Sequence, residues 1–191
     1  MARTRSERAH HDVVEAAAEV LGRVGVAGFT IDEVVARSGV AKSTIYRWWP
    51  NRQALLLDVA HSLLTPAATP NSGNTRDDLI AYLSSFATYP RDTPAGRLLP
   101  ELCSVAERDS EIAELRDTLI AEKRQPVVTI LELAKARGDI AVDADAELLT
   151  SLMIGPLAYT KSLRGMVVTM SMVAAAVDAA LAHGARDRVA T

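Results

Sequence analysis

The chain has one cysteine, Cys103, so an internal disulfide is excluded. It has no sustained alternation of apolar and polar residues, which removes the main signal for half-buried strands. The uncharged apolar stretches Leu148 to Thr160 and Met166 to Val177 hold 13 and 12 residues, short of the roughly 20 that span a bilayer. No membrane partner is expected. The first thirty residues lack the short apolar core and cleavage site of a secretory leader, so a cytoplasmic location is expected.

Chemistry-bearing constellations are also scarce. His10 and His11 are adjacent and project about 100° apart on a helix, a poor metal pair, and His61 and His183 stand apart from any Cys or carboxylate cluster. The acids of "GDIAVDADAE", residues 138 to 147, lack the ligand order and turn glycine of a calcium loop. No glycine-rich phosphate loop occurs, and Cys103 reads as a structural thiol. No metal, no cofactor and no enzymatic activity are expected.

What is present points to helices. Of 191 residues, 49% are hydrophobic, 24% charged and 32 are alanine, a composition rich in strong helix formers and apolar enough to fold. An all-α fold follows. The net charge of -3 divides unevenly: residues 1 to 52 carry eight basic and six acidic groups, giving +2, and the rest carry 13 and 18, giving -5. A basic end on an acidic chain points to nucleic acid at that end.

Local signals organise that end. Val13, Ala17, Val20, Leu21 and Val24 recur at helical spacing within residues 6 to 24, and Gly25 and Gly28 end the helix. Thr30 and Glu33 have the capping-box spacing and open a second helix, with Ile31, Val34 and Val35 as its apolar face and Gly39 supplying a tight turn. A third helix, residues 41 to 48, is closed by Pro50. Two short helices across a glycine turn make a helix-turn-helix. If Ile45 and Trp49 face inward, then Lys42, Ser43, Tyr46 and Arg47 face solvent. Lysine can donate to guanine in the major groove, the hydroxyls of Ser43 and Thr44 allow close approach to bases or phosphates, and tyrosine can donate to a phosphate.

The stretch "TIDEVVARSGVAKSTIYRWWPNRQALL", Thr30 to Leu56, resembles the DNA-binding signature of the TetR family of bacterial transcriptional repressors. The resemblance implies that the third helix enters the major groove of double-stranded DNA. It also implies that Tyr46 and Arg52 hold phosphates and that the Thr30 hydroxyl caps the second helix beside the backbone. Trp48 stands where His or Tyr is common, which leaves its contact with DNA open; Trp49 should still serve as the core aromatic. The DNA-contacting set is thus Thr30, Lys42, Ser43, Thr44, Tyr46, Arg47, Trp48 and Arg52.

Residues 1 to 52 are accordingly assigned to DNA binding and residues 53 to 191 to a helical ligand-sensing and dimerising domain, about nine helices in all. The last two helices, expected over 144 to 163 and 168 to 183, are the most hydrophobic. Small and bulky residues alternate along Leu148, Leu152, Gly155 and Tyr159 and along Val173, Val177, Ala180 and Leu181, which permits close helix approach. Such a pattern suits either an ordinary interior helix pair or a self-complementary four-helix interface in a two-fold homodimer, and the resemblance favours the homodimer. The resemblance also implies a pocket in the middle helices for a small, apolar effector, with Tyr82, Phe86, Leu98, Leu102, Cys103, Leu119, Met153 and Tyr159 as candidate lining. The function expected is a repressor released from a palindromic operator by that effector; the alternatives are an activator or a ligand-independent regulator of the same fold and, behind those, an all-α enzyme.

Overall fold

The computed structural model describes residues 2–64, 68–90 and 92–186, without the side chains of residues 2–7, 86, 88 and 186. Arg3 and Arg5, which contribute to the basic end, and Phe86 therefore lie outside the described side chains. Among the described residues the fold is helical throughout: α1 (Ala2–Gly28), α2 (Ile31–Ser38), α3 (Lys42–Trp48), α4 (Arg52–Leu63), α5 (Thr75–Leu83), α6 (Ser85–Thr88), α7 (Pro94–Ala106), α8 (Ser110–Arg137), α9 (Ala146–Ala158) and α10 (Met170–Arg186), with a π-helical turn at Tyr159–Leu163. Counting the four-residue α6 with α5 leaves nine.

The chain divides into two compact units, Met1–Pro66 with Arg91–Leu119, and Ala67–Pro90 with Ile120–Thr191. The first unit takes in more than the three N-terminal helices. α1 packs on α2, α4 and α7, and α3 packs on α2. Val13, Ala17 and Val20 of α1, Val34 of α2, Ile45 of α3 and Leu55, Leu56 and Val59 of α4 are all buried. Because α4 and α7 contribute to this unit, the boundary drawn at residue 52 falls inside a continuously packed body rather than between two.

Asn51 opens α4 by accepting from Ala54 N at 2.8 Å, and Thr93 opens α7 by accepting from Gly96 N at 3.1 Å; such caps satisfy donors that a helix leaves unpaired. α1 is interrupted at Gly25, whose φ of 69° is left-handed. The break exposes backbone groups that α7 and α4 cover: Val26 N donates to Glu101 Oε2 at 2.9 Å, Arg97 donates to the Gly22 carbonyl at 2.9 Å, and Arg52 donates to the Val26 carbonyl at 2.6 Å. The positive φ disfavours any other residue at Gly25, and a Cβ there would stand 2.9 Å from Glu101 Oε2 and push the carboxylate off Val26 N.

In the second unit, Leu79 and Leu83 of α5, Val127, Ile130 and Leu131 of α8, Leu149, Met153 and Leu157 of α9 and Val173, Val177 and Ala180 of α10 form one buried cluster. Polar ties frame it. Arg76 makes a two-pronged ion pair with Asp178 at 2.6 and 3.0 Å, joining α5 to α10, and Thr75 donates to Asp139 at 2.6 Å. Tyr82 is buried, its hydroxyl donates to the Lys123 carbonyl at 3.0 Å, and burial pushes its pKa above the ordinary 10.0.

Candidate nucleic-acid interface

The geometry of α3 follows from two inward anchors. Ile45 is fully buried, and Trp49, at the helix end, is buried with its indole Nε1 donating to Asp58 Oδ2 at 2.8 Å. With those two positions inside, a 3.6-residue period turns Lys42, Ser43, Tyr46 and Arg47 outward, and all four are exposed; Tyr46 keeps 45% of its surface in water. Thr44 and Trp48 are half-buried. The turn before α3 rests on Gly39, left-handed at φ 68°, whose N–H caps α2 at the Val35 carbonyl.

Thr30 caps α2 as its spacing implies, accepting from Glu33 N at 3.2 Å. The reciprocal half of the capping box is used differently, because the Glu33 carboxylate pairs with Arg23 of α1. Arg37 of α2 likewise pairs with Glu19 of α1. Two of the basic groups counted toward the N-terminal charge are thus committed to holding α2 on α1.

Trp48 sits in an aromatic group that sequence spacing did not reveal. Its ring lies edge-on to Trp49 at 5.6 Å and to His10 of α1 at 5.5 Å, and the Arg47 guanidinium lies 5.6 Å from its centroid. His10 also packs on Trp49 at 4.5 Å, with Nε2 3.5 Å from Asp58 Oδ2. His10, taken from the sequence as half of a poor metal pair, is therefore a packing partner of the α3 C-terminus, and no group of three or more potential metal ligands occurs among the described residues.

Arg52 has partners within the fold. Its guanidinium donates to the Val26 carbonyl at 2.6 Å and lies 3.5 Å from Asp109. Those partners, at the α1 break and beside the start of α8, direct its charge into the first unit. It acts as a tie within the fold. Asp32, missed in the sequence, enters the surface of the motif: its carboxylate is 2.6 Å from Lys42 Nζ, and this hydrogen bond raises the lysine pKa.

Comparison with known proteins agrees with this geometry. Residues 13–59 match the family model described as bacterial regulatory proteins, tetR family, and residues 69–180 match that of the tetracyclin repressor-like C-terminal domain. The DNA-binding transcriptional repressor TetR of Mycobacteroides abscessus is 30% identical over 165 residues, covering 84% of this chain and 86% of that protein. The chain belongs to the TetR family. It is similar to the uncharacterized HTH-type transcriptional regulator YdeS of Bacillus subtilis, 28% identical over 90% of this chain and 87% of the relative. The crystal structure of the TetR family transcription regulator SCO0332 superposes with a TM-score of 0.72 at 32% identity, covering 91% and 97% of the two chains. The protein is a TetR-family, helix-turn-helix transcriptional regulator that binds DNA, and α2 and α3 are its helix-turn-helix.

The other residues expected of a TetR-family regulator fall out unevenly. Leu148, Leu152 and Gly155 of α9 and Tyr159, which opens the π-helical turn after it, are exposed in one stripe, with nothing within 4 Å of the Cβ position of Gly155. On α10 the expectation needs correction. Val173, Val177 and Ala180 are fully buried in the chain's own core, and Leu181 packs partly against it. They are the intramolecular face of α10; its exposed described positions include Ser171, Ala175, Asp178, Ala179, Ala182 and His183.

The eight candidate effector-lining residues divide between the units. Leu98, Leu102, Cys103 and Leu119 belong to the first; Tyr82, Phe86, Met153 and Tyr159 belong to the second. Leu102, Leu119 and Met153 are fully buried and Leu98 nearly so, but Cys103 and Tyr159 are exposed and do not act as enclosed lining. No described helix is long and apolar enough to cross a membrane.

Proposed function

We propose that the protein is a repressor that binds a palindromic operator as a two-fold dimer and is released by a small apolar molecule. The observation that carries this reading is the α3 surface: Lys42, Ser43, Tyr46 and Arg47 are solvent-facing while Ile45 and Trp49 anchor the helix from below. In the groove, Lys42 and Ser43 at the helix N-terminus face base edges, where recognition helices make such contacts, and Tyr46 and Arg47 hold phosphates. Thr30 and Thr44 approach the backbone at the margin, and Trp48 braces Arg47. Repression is favoured by the similarity to a named repressor.

The apolar stripe on α9 supports dimerisation. Leu148, Leu152 and Tyr159 face solvent beside a glycine that lets another helix approach closely. Two-fold symmetry would repeat α3 at half-sites about 34 to 36 Å apart. An effector that binds better to a conformation with another spacing weakens DNA binding by its differential affinity; about 3 kcal/mol corresponds to roughly 150-fold.

Selection of genomic fragments by the full-length protein tests the reading. Enrichment of inverted repeats, with binding that falls steeply with salt, is expected. Binding without sequence preference would reject the operator reading. Transcription from an enriched promoter should fall on adding protein; a rise would make the protein an activator.

A further inference from the structure

Asp32 and Lys42 sit at the first turns of α2 and α3, both exposed, at 74% and 49% of their side-chain surfaces. Their charged atoms are 2.6 Å apart. An unpaired carboxylate on a DNA-reading face is repelled by phosphates, yet this one carries its own counter-ion. The other acid of the α2 first turn, Glu33, is taken by Arg23, and the Glu19 of α1 by Arg37. Asp32 is the acid that the motif leaves beside its groove-entering lysine.

Resting on the proposed entry of α3 into the major groove, we infer that Asp32 and Lys42 form one reading unit for a single G·C base pair, lysine donating to guanine and aspartate accepting from cytosine. The chemistry of the base-pair edge fits the pair. Guanine presents O6 and N7 as acceptors and cytosine presents its N4 amino group as a donor. The cytosine amino group is itself bonded to guanine O6 through one hydrogen, so this donor and acceptor stand an ordinary hydrogen-bond length apart, about 2.9 Å. An ammonium and a carboxylate held at 2.6 Å match that spacing. Lysine has three donors and uses one on Asp32, which leaves two for O6 and N7. The Asp32 carboxylate keeps 74% of its side-chain surface exposed, and its second oxygen can accept the cytosine amino hydrogen that points into the groove.

The pair also sets a rank order. A T·A pair in the same orientation offers O4 to lysine and the adenine amino group to aspartate, but it lacks the second acceptor and brings a methyl group to the ammonium. C·G and A·T turn an amino group toward the ammonium and an acceptor toward the carboxylate, and both are rejected. Asp32 thereby fixes which strand carries the guanine, a distinction that a flexible lysine alone cannot hold.

The test uses full-length wild type, Asp32→Ala, Asp32→Asn and Lys42→Ala, each selecting from a random duplex library and then titrated against the wild-type consensus duplex and its single base-pair variants. In wild type, one G·C pair per half-site should resist inversion to C·G by roughly 5- to 150-fold. Asp32→Ala should collapse that discrimination at this pair alone, with affinity for the mismatched duplexes rising toward that for the consensus as a negative charge leaves the face. Lys42→Ala should lose guanine preference at the same pair. Asp32→Asn keeps the side-chain shape but loses the ion pair that holds Lys42, so discrimination against inversion should fall at this pair alone; it decides the matter if the alanine variant melts early, and unchanged discrimination in it would overturn the ion-paired unit. Uniformly tighter binding by Asp32→Ala with every base preference intact would overturn the inference, making Asp32 a competitor of DNA rather than a reader. So would a profile in which Lys42→Ala and Asp32→Ala act at different pairs, or in which only Lys42→Ala has an effect; α3 readout would survive either result. If neither variant changes any preference, groove reading by Lys42 itself has failed.

Discussion

The outer faces of α3 and α9 are both solvent-facing and chemically opposite. On α3 the exposed positions are Lys42, Ser43, Tyr46 and Arg47; on α9 and the turn after it they are Leu148, Leu152, Gly155 and Tyr159. Each helix is held by buried residues on its other side, Ile45 for α3 and Leu149, Met153 and Leu157 for α9. A surface of donors and cations loses little in water and gains from a polyanion, whereas an apolar stripe gains only when another apolar surface covers it. The first is suited to nucleic acid and the second to protein, and substitutions on the two faces should therefore fail in different assays.

The largest contrast should come from Leu152→Asp. Leu152 has 41% of its surface left to cover, worth about 0.6 to 1.2 kcal/mol in each copy of the proposed two-fold dimer, and a carboxylate buried in its place costs several kcal/mol more. Sedimentation should show the mass halved with helicity unchanged; an unaltered mass would place the dimer contact elsewhere. Ile45→Ala, on the hidden side of α3, should cost about 2 to 5 kcal/mol of folding stability in a denaturant titration, with DNA binding lost as a consequence of unfolding.

Arg52→Ala sharpens the distinction between a tie in the fold and a phosphate contact. Loss of its hydrogen bond to Val26 should lower stability by about 1 to 3 kcal/mol and leave the salt dependence of DNA binding unchanged. A salt slope reduced by about one would place Arg52 in the phosphate-holding set. Tyr46→Phe should do the reverse, weakening binding to all sequences by about 1 kcal/mol with no change in melting temperature. Equal affinity for operator DNA would mean that the hydroxyl touches no phosphate.

The smallest effect concerns Tyr82, away from both faces. Burial raises its folded pKa above the unfolded value of 10.0, so its contribution is complete below about pH 10 and is lost as pH rises through the raised folded value. Alkaline unfolding should accordingly occur at higher pH in Tyr82→Phe, provided the variant tolerates losing the hydrogen bond to Lys123. In wild type, tyrosine absorbance should show a group ionising above pH 10 that is missing in Tyr82→Phe; a wild-type curve unchanged by the substitution would contradict the shift.

The helix-turn-helix was legible because its signals are local. Thr30 and Gly39 mark the ends of α2 within nine residues of each other, and the positions of Ile45 and Trp49 determine which side of α3 faces out. Arg52 was not legible, because Val26 lies 26 residues earlier and Asp109 follows α7. Asp32 looked like an ordinary first-turn acid that favours a helix N-terminus; its role emerges only once α3 brings Lys42 beside it. The α10 residues were misassigned for another reason. An alanine-rich helix with valines on one side is apolar on several faces, and periodicity shows that a face is buried without showing what buries it.

Spacing, capping residues and turn glycines along the chain were sufficient for an all-helical fold, for the reading motif and for its outward groups, since each depends on contacts within a few residues. Only tertiary packing decided that Arg52 braces the break in α1, that Val173 and Val177 belong to the chain's own core, and that Asp32 pairs with Lys42. Those outcomes join residues on different helices, and a hydrogen bond or buried contact exists only when folding brings both partners to the same place.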